Sequence, residues 1–204
     1  MAGAVERREQ PAERELIDLV RSSPWLMRVL ATVRETSLPD AWVGAGVLRD
    51  VVWGERYGPG FRPKRVHDVD VAFFDPDDVG RTNDDRATEH LATTLPGVPW
   101  EAKNQAAVHT WYQNKFGGDP VEPLTSIRDA VGTWPETATA VAVRLTGNHA
   151  IEICAPLGLE DLLGGIWRRN PRRITIDQSW ARLARHDPST RWPRVTVVDP
   201  NGRW

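Results

Sequence analysis

Two aspartates, Asp68 and Asp70, stand two positions apart in the run Arg65-Val66-His67-Asp68-Val69-Asp70-Val71-Ala72-Phe73-Phe74. The β-branched and aromatic residues around them predict a largely buried strand. Side chains two apart on a strand share a face, so both carboxylates point the same way. Like charges that close disfavour joint ionisation unless a cation joins them. Divalent metal ions with oxygen ligands, Mg²⁺ or Mn²⁺, resolve that conflict and suit in-line phosphoryl chemistry. A strand end with two solvated aspartates reads equally well from this stretch alone.

The elements around the pair bear on that choice. Ala41-Trp42-Val43 predicts a short apolar strand, Gly44-Ala45-Gly46 a turn, and Val47 to Trp53 a helix. A strand, two glycines and a helix start form an anion site, because free N–H groups and the helix dipole favour negative charge. A tight turn explains Gly-x-Gly by itself, and the acidic pair on the next strand gives the anion reading its weight. Arg49, one turn into the helix, adds charge there or faces solvent.

The remaining chain supplies packing and one more acidic strand. Leu16, Ile17, Leu19 and Val20 predict an amphipathic helix from Pro11, and Ser23 with Pro24 predicts the cap and first residue of a second. A helix is expected from Asp84 to Leu95. A strand over Val98 to Gln105 follows, then a mixed aromatic segment to Gly117 that reads as pocket wall or as a half-exposed strand. Ala138 to Leu145 and Ala150 to Ala155 predict a hairpin around Gly147-Asn148. Arg168-Arg169-Asn170-Pro171-Arg172-Arg173 is the dense basic stretch, read as a solvated connector before a helix over Thr175 to His186.

The 204 residues fit one sizeable domain, with residues 1–10 as a frayed tail, 11–204 as the domain and a C-terminal extension from about 167. A formal net charge of −2 does not describe a protein that coats nucleic acid indiscriminately. The lone Cys154, flanked by apolar residues, fits a reducing compartment and not a thiol nucleophile. With no apolar run near the ~20 residues that span a bilayer and no signal-peptide core, a cytoplasmic protein without membrane contact is expected.

Strand, glycine turn, helix and Asp-x-Asp strand together resemble the DNA polymerase beta superfamily of nucleotidyltransferases. Val43-Gly44 matches that superfamily's opening motif, although Ala45 replaces its second Gly or Ser, and Asp68 and Asp70 match its carboxylate pair. More narrowly, Trp42-Val43-Gly44-Ala45-Gly46, Pro99 to Gln105, Trp134 to Val141 and Ala155 to Leu162 are similar to an uncharacterised bacterial nucleotidyltransferase-like family. The resemblance implies an α+β fold with a mixed central sheet and helices packed on it. It implies transfer of a nucleoside monophosphate from an NTP such as ATP to an acceptor hydroxyl, with release of pyrophosphate. It also implies a third acid on a later strand. Glu152, pointing away from Ile151 and Ile153, is placed first for that role, and Glu101, which shares its face with Lys103, is the competitor. The expected site is then Asp68, Asp70 and Glu152 on the metal, with Gly44, Ala45, Gly46, Arg49 and Lys103 on the nucleotide. A small molecule, a protein or an RNA remains open as acceptor. A non-catalytic nucleotide-binding or partner-binding module, and a toxin-type transferase acting on protein or tRNA, are the alternatives.

Overall fold

The computed structural model describes residues 10–117 and 119–202. The tail expected over residues 1–10 therefore lies, but for Gln10, outside the described residues. Helices α1 (Pro11–Arg21) and α2 (Pro24–Glu35) lead into strand β1 (Trp42–Gly44), helix α3 (Gly46–Tyr57) and strand β2 (Val69–Phe73). Helix α4 (Arg81–Thr94), strand β3 (Trp100–Asn104), and helices α5 (Val108–Phe116) and α6 (Ile127–Val131) follow. The hairpin of β4 (Ala142–Leu145) and β5 (Ile151–Cys154) precedes α7 (Glu160–Gly164) and β6 (Ile166–Trp167). Helices α8 (Ile176–His186) and α9 (Pro188–Arg191) and strand β7 (Thr196–Val197) close the order.

Local chemistry explains several boundaries. Ser23 accepts from the Leu26 N–H at 3.3 Å with Pro24 at the first helical position, so α2 starts where its orphan donors are met. Thr175 and Gln178 cap α8 reciprocally. Two stretches differ from expectation. The aromatic segment after β3 is helical as α5, because Asn104 accepts from the Ala106 N–H and turns the chain at once. Residues 137–139 form a 3-10 turn and not strand, with the Thr139 hydroxyl and N–H both donating to the Glu136 carbonyl at 3.0 Å.

Five strands form one mixed sheet in the order β3-β2-β1-β4-β5. Only β2 and β3 are parallel, as the α4 crossover between them requires; the other pairs are antiparallel. One face carries Val43, Val69, Val71, Phe73, Trp100, Ala102 and Val143, and packs on α1 to α4 as the main core. The opposite face carries Trp42, Ala72, Ala142 and Cys154 against Ile127 and Val131 of α6. That second face is only partly covered, and it is the face onto which Asp70 points.

Candidate functional site

The parallel ladder sets Asp70 directly opposite Glu101, and the same cross-strand row runs on through Gly44, Ala142 and Cys154. Paired residues share a sheet face, so Asp70 and Glu101 project side by side. Asp68 lies just outside β2, exposed, and faces the start of α3. Burial, with the charges of Asp68 and then Glu101, pushes the Asp70 carboxyl up to about 7; Arg182 and Arg49 pull the other way. Near neutral pH this side chain sits at the balance between its two protonation states.

Glu152 is not in this group. It stands on the expected face, but on β5, three strands from β2, with β1 and β4 between them. At ~4.8 Å per strand that is about 14 Å from Asp70's strand. Its carboxylate is bound to Arg144 at 2.6 Å, and Arg144 also reaches Asp40 at 2.7 Å and covers the Trp42 ring. The expectation that Glu152 would lie nearer the pair than Glu101 is therefore corrected. Alternation along the strand placed the side chain on the right face, while strand order placed it too far away.

The glycine turn divides into three different environments. Gly44 lies inside the ladder, where a Cβ would stand 2.7 Å from both the Trp134 ring and the Val141 carbonyl. Ala45 takes φ 56°, a backbone region that favours glycine, and its N–H donates to the Val141 carbonyl at 3.2 Å. Its amide is thus engaged within the protein, contrary to the expected nucleotide contact. Gly46 opens α3, which has no side-chain cap, and a Cβ there would sit 3.5 Å from Arg49 Nη2 and 3.9 Å from Asp68 Oδ1. The first-turn amides of α3, the Arg49 guanidinium and the Asp68 carboxylate thus meet around Gly46.

Arg49 does not face solvent. It is 3 % exposed, donates through Nε and Nη2 to Asp50 Oδ1 at 3.1 and 2.7 Å, and lies within 5.4 Å of the Trp167 and Trp192 ring centres. Arg191 holds the other Asp50 oxygen at 2.8 Å. Lys103 shares the face of Glu101, 4.0 Å from it, but stands closer to the buried Asp84, at 3.5 Å. Its first partner is a protein carboxylate, so it anchors α4 to β3 beside the site.

The sequence reading missed the contribution of α8. Arg182 donates to both oxygens of the fully buried Glu136, at 2.6 and 3.0 Å, and its charge reaches Asp70. On the same helix His186 packs against the Trp167 ring, 5.5 Å between centres. Burial first, then Arg49, Arg182, Arg185 and Arg191, depress its pKa to about 3. Of these cations, Arg182 and Arg49 are the two whose charge reaches Asp70. The hint in sequence was the spacing of Ser179, Arg182 and His186 on one helical face. The basic stretch 168–173 is partly solvated, as expected, but its side chains are also tied down: Arg168 binds Asp161, Arg169 the Ile174 and Pro200 carbonyls, and the exposed Arg172 binds Asp129.

Oxygen donors Asp68, Asp70 and Glu101 have the hard-ligand chemistry that Mg²⁺ or Mn²⁺ takes. Among the described residues no three His, Cys, Asp or Glu side chains stand in a geometry that holds a metal by themselves. An ion bound there would take its remaining ligands from a phosphate and water. Cys154 is buried, and burial pushes its thiol up, so it stays an unreactive core residue. No helix among the described residues is long and apolar enough to cross a membrane.

Comparison with known proteins agrees with this architecture. A family model described as "Nucleotidyltransferase" matches residues 31–197. A solved structure described as revealing a CCA-adding enzyme head domain is 29% identical, with a TM-score of 0.76, over 91% of this chain and 95% of that one. A CCA-adding enzyme solved with CTP is 14% identical with a TM-score of 0.54, over 94% of this chain and 44% of that one. The Thermotoga maritima CCA-adding enzyme complexed with tRNA is 14% identical with a TM-score of 0.53, over 92% and 42% respectively. The chain thus spans less than half the length of those two enzymes, whose likeness is one of fold. No curated protein sequence matches it. Matched over most of its length, the chain belongs to the nucleotidyltransferase family and is a nucleotidyltransferase with the polymerase-beta-type fold.

Proposed function

We propose that the chain transfers a nucleoside monophosphate from an NTP to an acceptor hydroxyl, at a divalent-metal site built on Asp68, Asp70 and Glu101. The observation that carries this reading is the grouping of carboxylates on one sheet face, with Asp70 pushed up to about 7 by burial and its acidic neighbours. A carboxyl in that state gains most from a cation and holds a proton without one. Bound Mg²⁺ or Mn²⁺ supplies charge neutralisation on the phosphates and lowers the pKa of the acceptor hydroxyl.

This chain's own residues do the remaining tasks. The first-turn amides of α3 at Gly46 receive phosphate oxygens, and Arg49 and Arg182 oppose the negative charge of the triphosphate. Arg49 is held in place by Asp50 and two tryptophan rings, so little ordering accompanies binding. The acceptor hydroxyl gives up its proton to solvent as its oxygen attacks the α-phosphorus, the bond to the bridging oxygen breaks, and pyrophosphate leaves with that electron pair. Positioning and electrostatics supply most of the acceleration.

The test is incubation with α-labelled ATP and Mg²⁺ in lysate, followed by recovery of whatever becomes covalently labelled. Label transfer that chelation abolishes and that Asp70→Asn lacks supports the reading. Transfer that survives in Asp70→Asn would sink it.

A further inference from the structure

A second group of residues lies on the same sheet face as Asp70, at the other end of β2. Asp70, Ala72 and Phe74 alternate onto this face, and four residues of strand span ~13 Å. Phe74 shares with Trp111 and Tyr112 the small apolar cluster around Val108, Leu124 and Ala130. Here α5 presents three rings in mutual contact: Tyr112 and Phe116 centres are 4.9 Å apart, Trp111 and Tyr112 6.1 Å, Trp111 and Phe116 6.4 Å.

Cations lie over these rings. Lys115 Nζ lies 5.6 Å from the Trp111 ring centre and 5.3 Å from that of Phe116, while the Arg173 guanidinium lies 4.9 Å over Tyr112. Trp111 and Tyr112 are half-buried against that cluster, whereas Phe116 at the end of α5 remains 48% exposed and completes no core. An exposed ring on an aromatic cluster, with cations lying over the ring faces, offers the two chemistries of a single-stranded nucleic acid: a surface for a base and charge for a phosphate backbone.

Direction along β2 separates this group from the nucleotide. Asp68 and the start of α3 lie at one end of the strand, Phe74 and α5 at the other. In-line displacement puts the attacking hydroxyl and the departing pyrophosphate on opposite sides of the α-phosphorus. With phosphates at Gly46 and Arg49, the acceptor approaches from the α5 end.

We propose that Trp111, Tyr112 and Phe116, flanked by Lys115 and Arg173, form a stacking platform for the end of a single-stranded nucleic acid whose terminal hydroxyl is the acceptor. The proposal rests on the nucleotidyl-transfer reading and names its acceptor class.

Fluorescence anisotropy with a short labelled oligoribonucleotide, and with its deoxy counterpart, tests it on the full chain. Wild type should bind at least one of them, more weakly as salt rises. Phe116→Ala should weaken binding about tenfold, as loss of one stacking ring does, and Phe116→Trp should restore it. The melting-temperature rise with Mg²⁺ and NTP should persist in Phe116→Ala. Failure of wild type to bind either oligonucleotide, or equal binding by a Lys115→Glu/Phe116→Ala variant, overturns the platform. Loss of the nucleotide-induced shift in Phe116→Ala with oligonucleotide binding intact would also overturn it, by assigning the rings to the incoming base. Absence of any nucleotide-induced shift in wild type would instead sink the transfer reading.

Discussion

Asp70 and Glu101 are direct partners across the parallel β2–β3 ladder, so two carboxylates from distant parts of the chain project from one sheet face at neighbouring positions. Glu152, on the same face, lies three strands away in an ion pair with Arg144. Glu101→Gln should therefore lower Mg²⁺-dependent pyrophosphate release by roughly a hundredfold, the scale of losing one charge-stabilising group. Glu152→Gln should leave it within about twofold and cost at most ~1 kcal/mol of stability, as exposed ion pairs do. The reverse ranking of the two variants would return the third-acid role to Glu152.

Asp70 sets a pH dependence whose sign follows from its raised pKa. In the folded state it holds its proton up to about 7, whereas the unfolded chain releases it near 3.8. The native state binds more protons in that interval, so this group's contribution is full below pH ~4 and is lost as pH rises through ~7. Denaturant melts of metal-free protein should show Asp70→Asn more stable than wild type at pH 8 and equal to it at pH 4. Mg²⁺ with NTP should restore wild-type stability at pH 8, because the ion takes the proton's place. A gain for the variant that is the same at both pH values would refute this account.

The two glycines of the turn should fail in different ways. A methyl group on Gly44 meets the Trp134 ring and the Val141 carbonyl at 2.7 Å, an overpacking expected to cost about 1–3 kcal/mol. One on Gly46 has room, 3.5 Å from Arg49, but occupies the space where phosphate oxygens would reach the α3 amides. Thermal melts should thus show Gly44→Ala destabilised and Gly46→Ala near wild type. Nucleotide titrations should show Gly46→Ala with the larger loss of affinity for its Tm. Equal nucleotide affinity in Gly46→Ala and wild type would place the phosphates elsewhere.

Arg182 joins the α8 helix to Glu136, whose carboxylate is fully buried. Arg182→Met should destabilise the protein by about 3 kcal/mol, since it leaves a buried charge without its partner. Adding Glu136→Gln should recover part of that stability without recovering nucleotide affinity, if Arg182 also acts on the triphosphate. Calorimetric titration of the double variant at wild-type affinity would confine Arg182 to a structural role.

The sequence by itself determined most of the elements, but not the helix α5 or the 3-10 turn at residues 137–139. The apolar run around Asp70 is the strand β2, and Ser23 and Thr175 mark helix starts that the structure keeps. It also put Glu152 on the correct face, because side-chain direction along a strand is a local property of period two. Only the tertiary structure decided which acid stands beside Asp70, since strand order depends on crossovers and packing between segments far apart in the chain. The α4 crossover sets β3 against β2, while β1 and β4 keep β5 at the far edge. The fate of the arginines was likewise invisible to local pattern. Arg49 lies between tryptophans from residues 167 and 192, and Arg182 answers a glutamate 46 positions earlier. Such partners are chosen by burial and charge in three dimensions, where no periodicity records them.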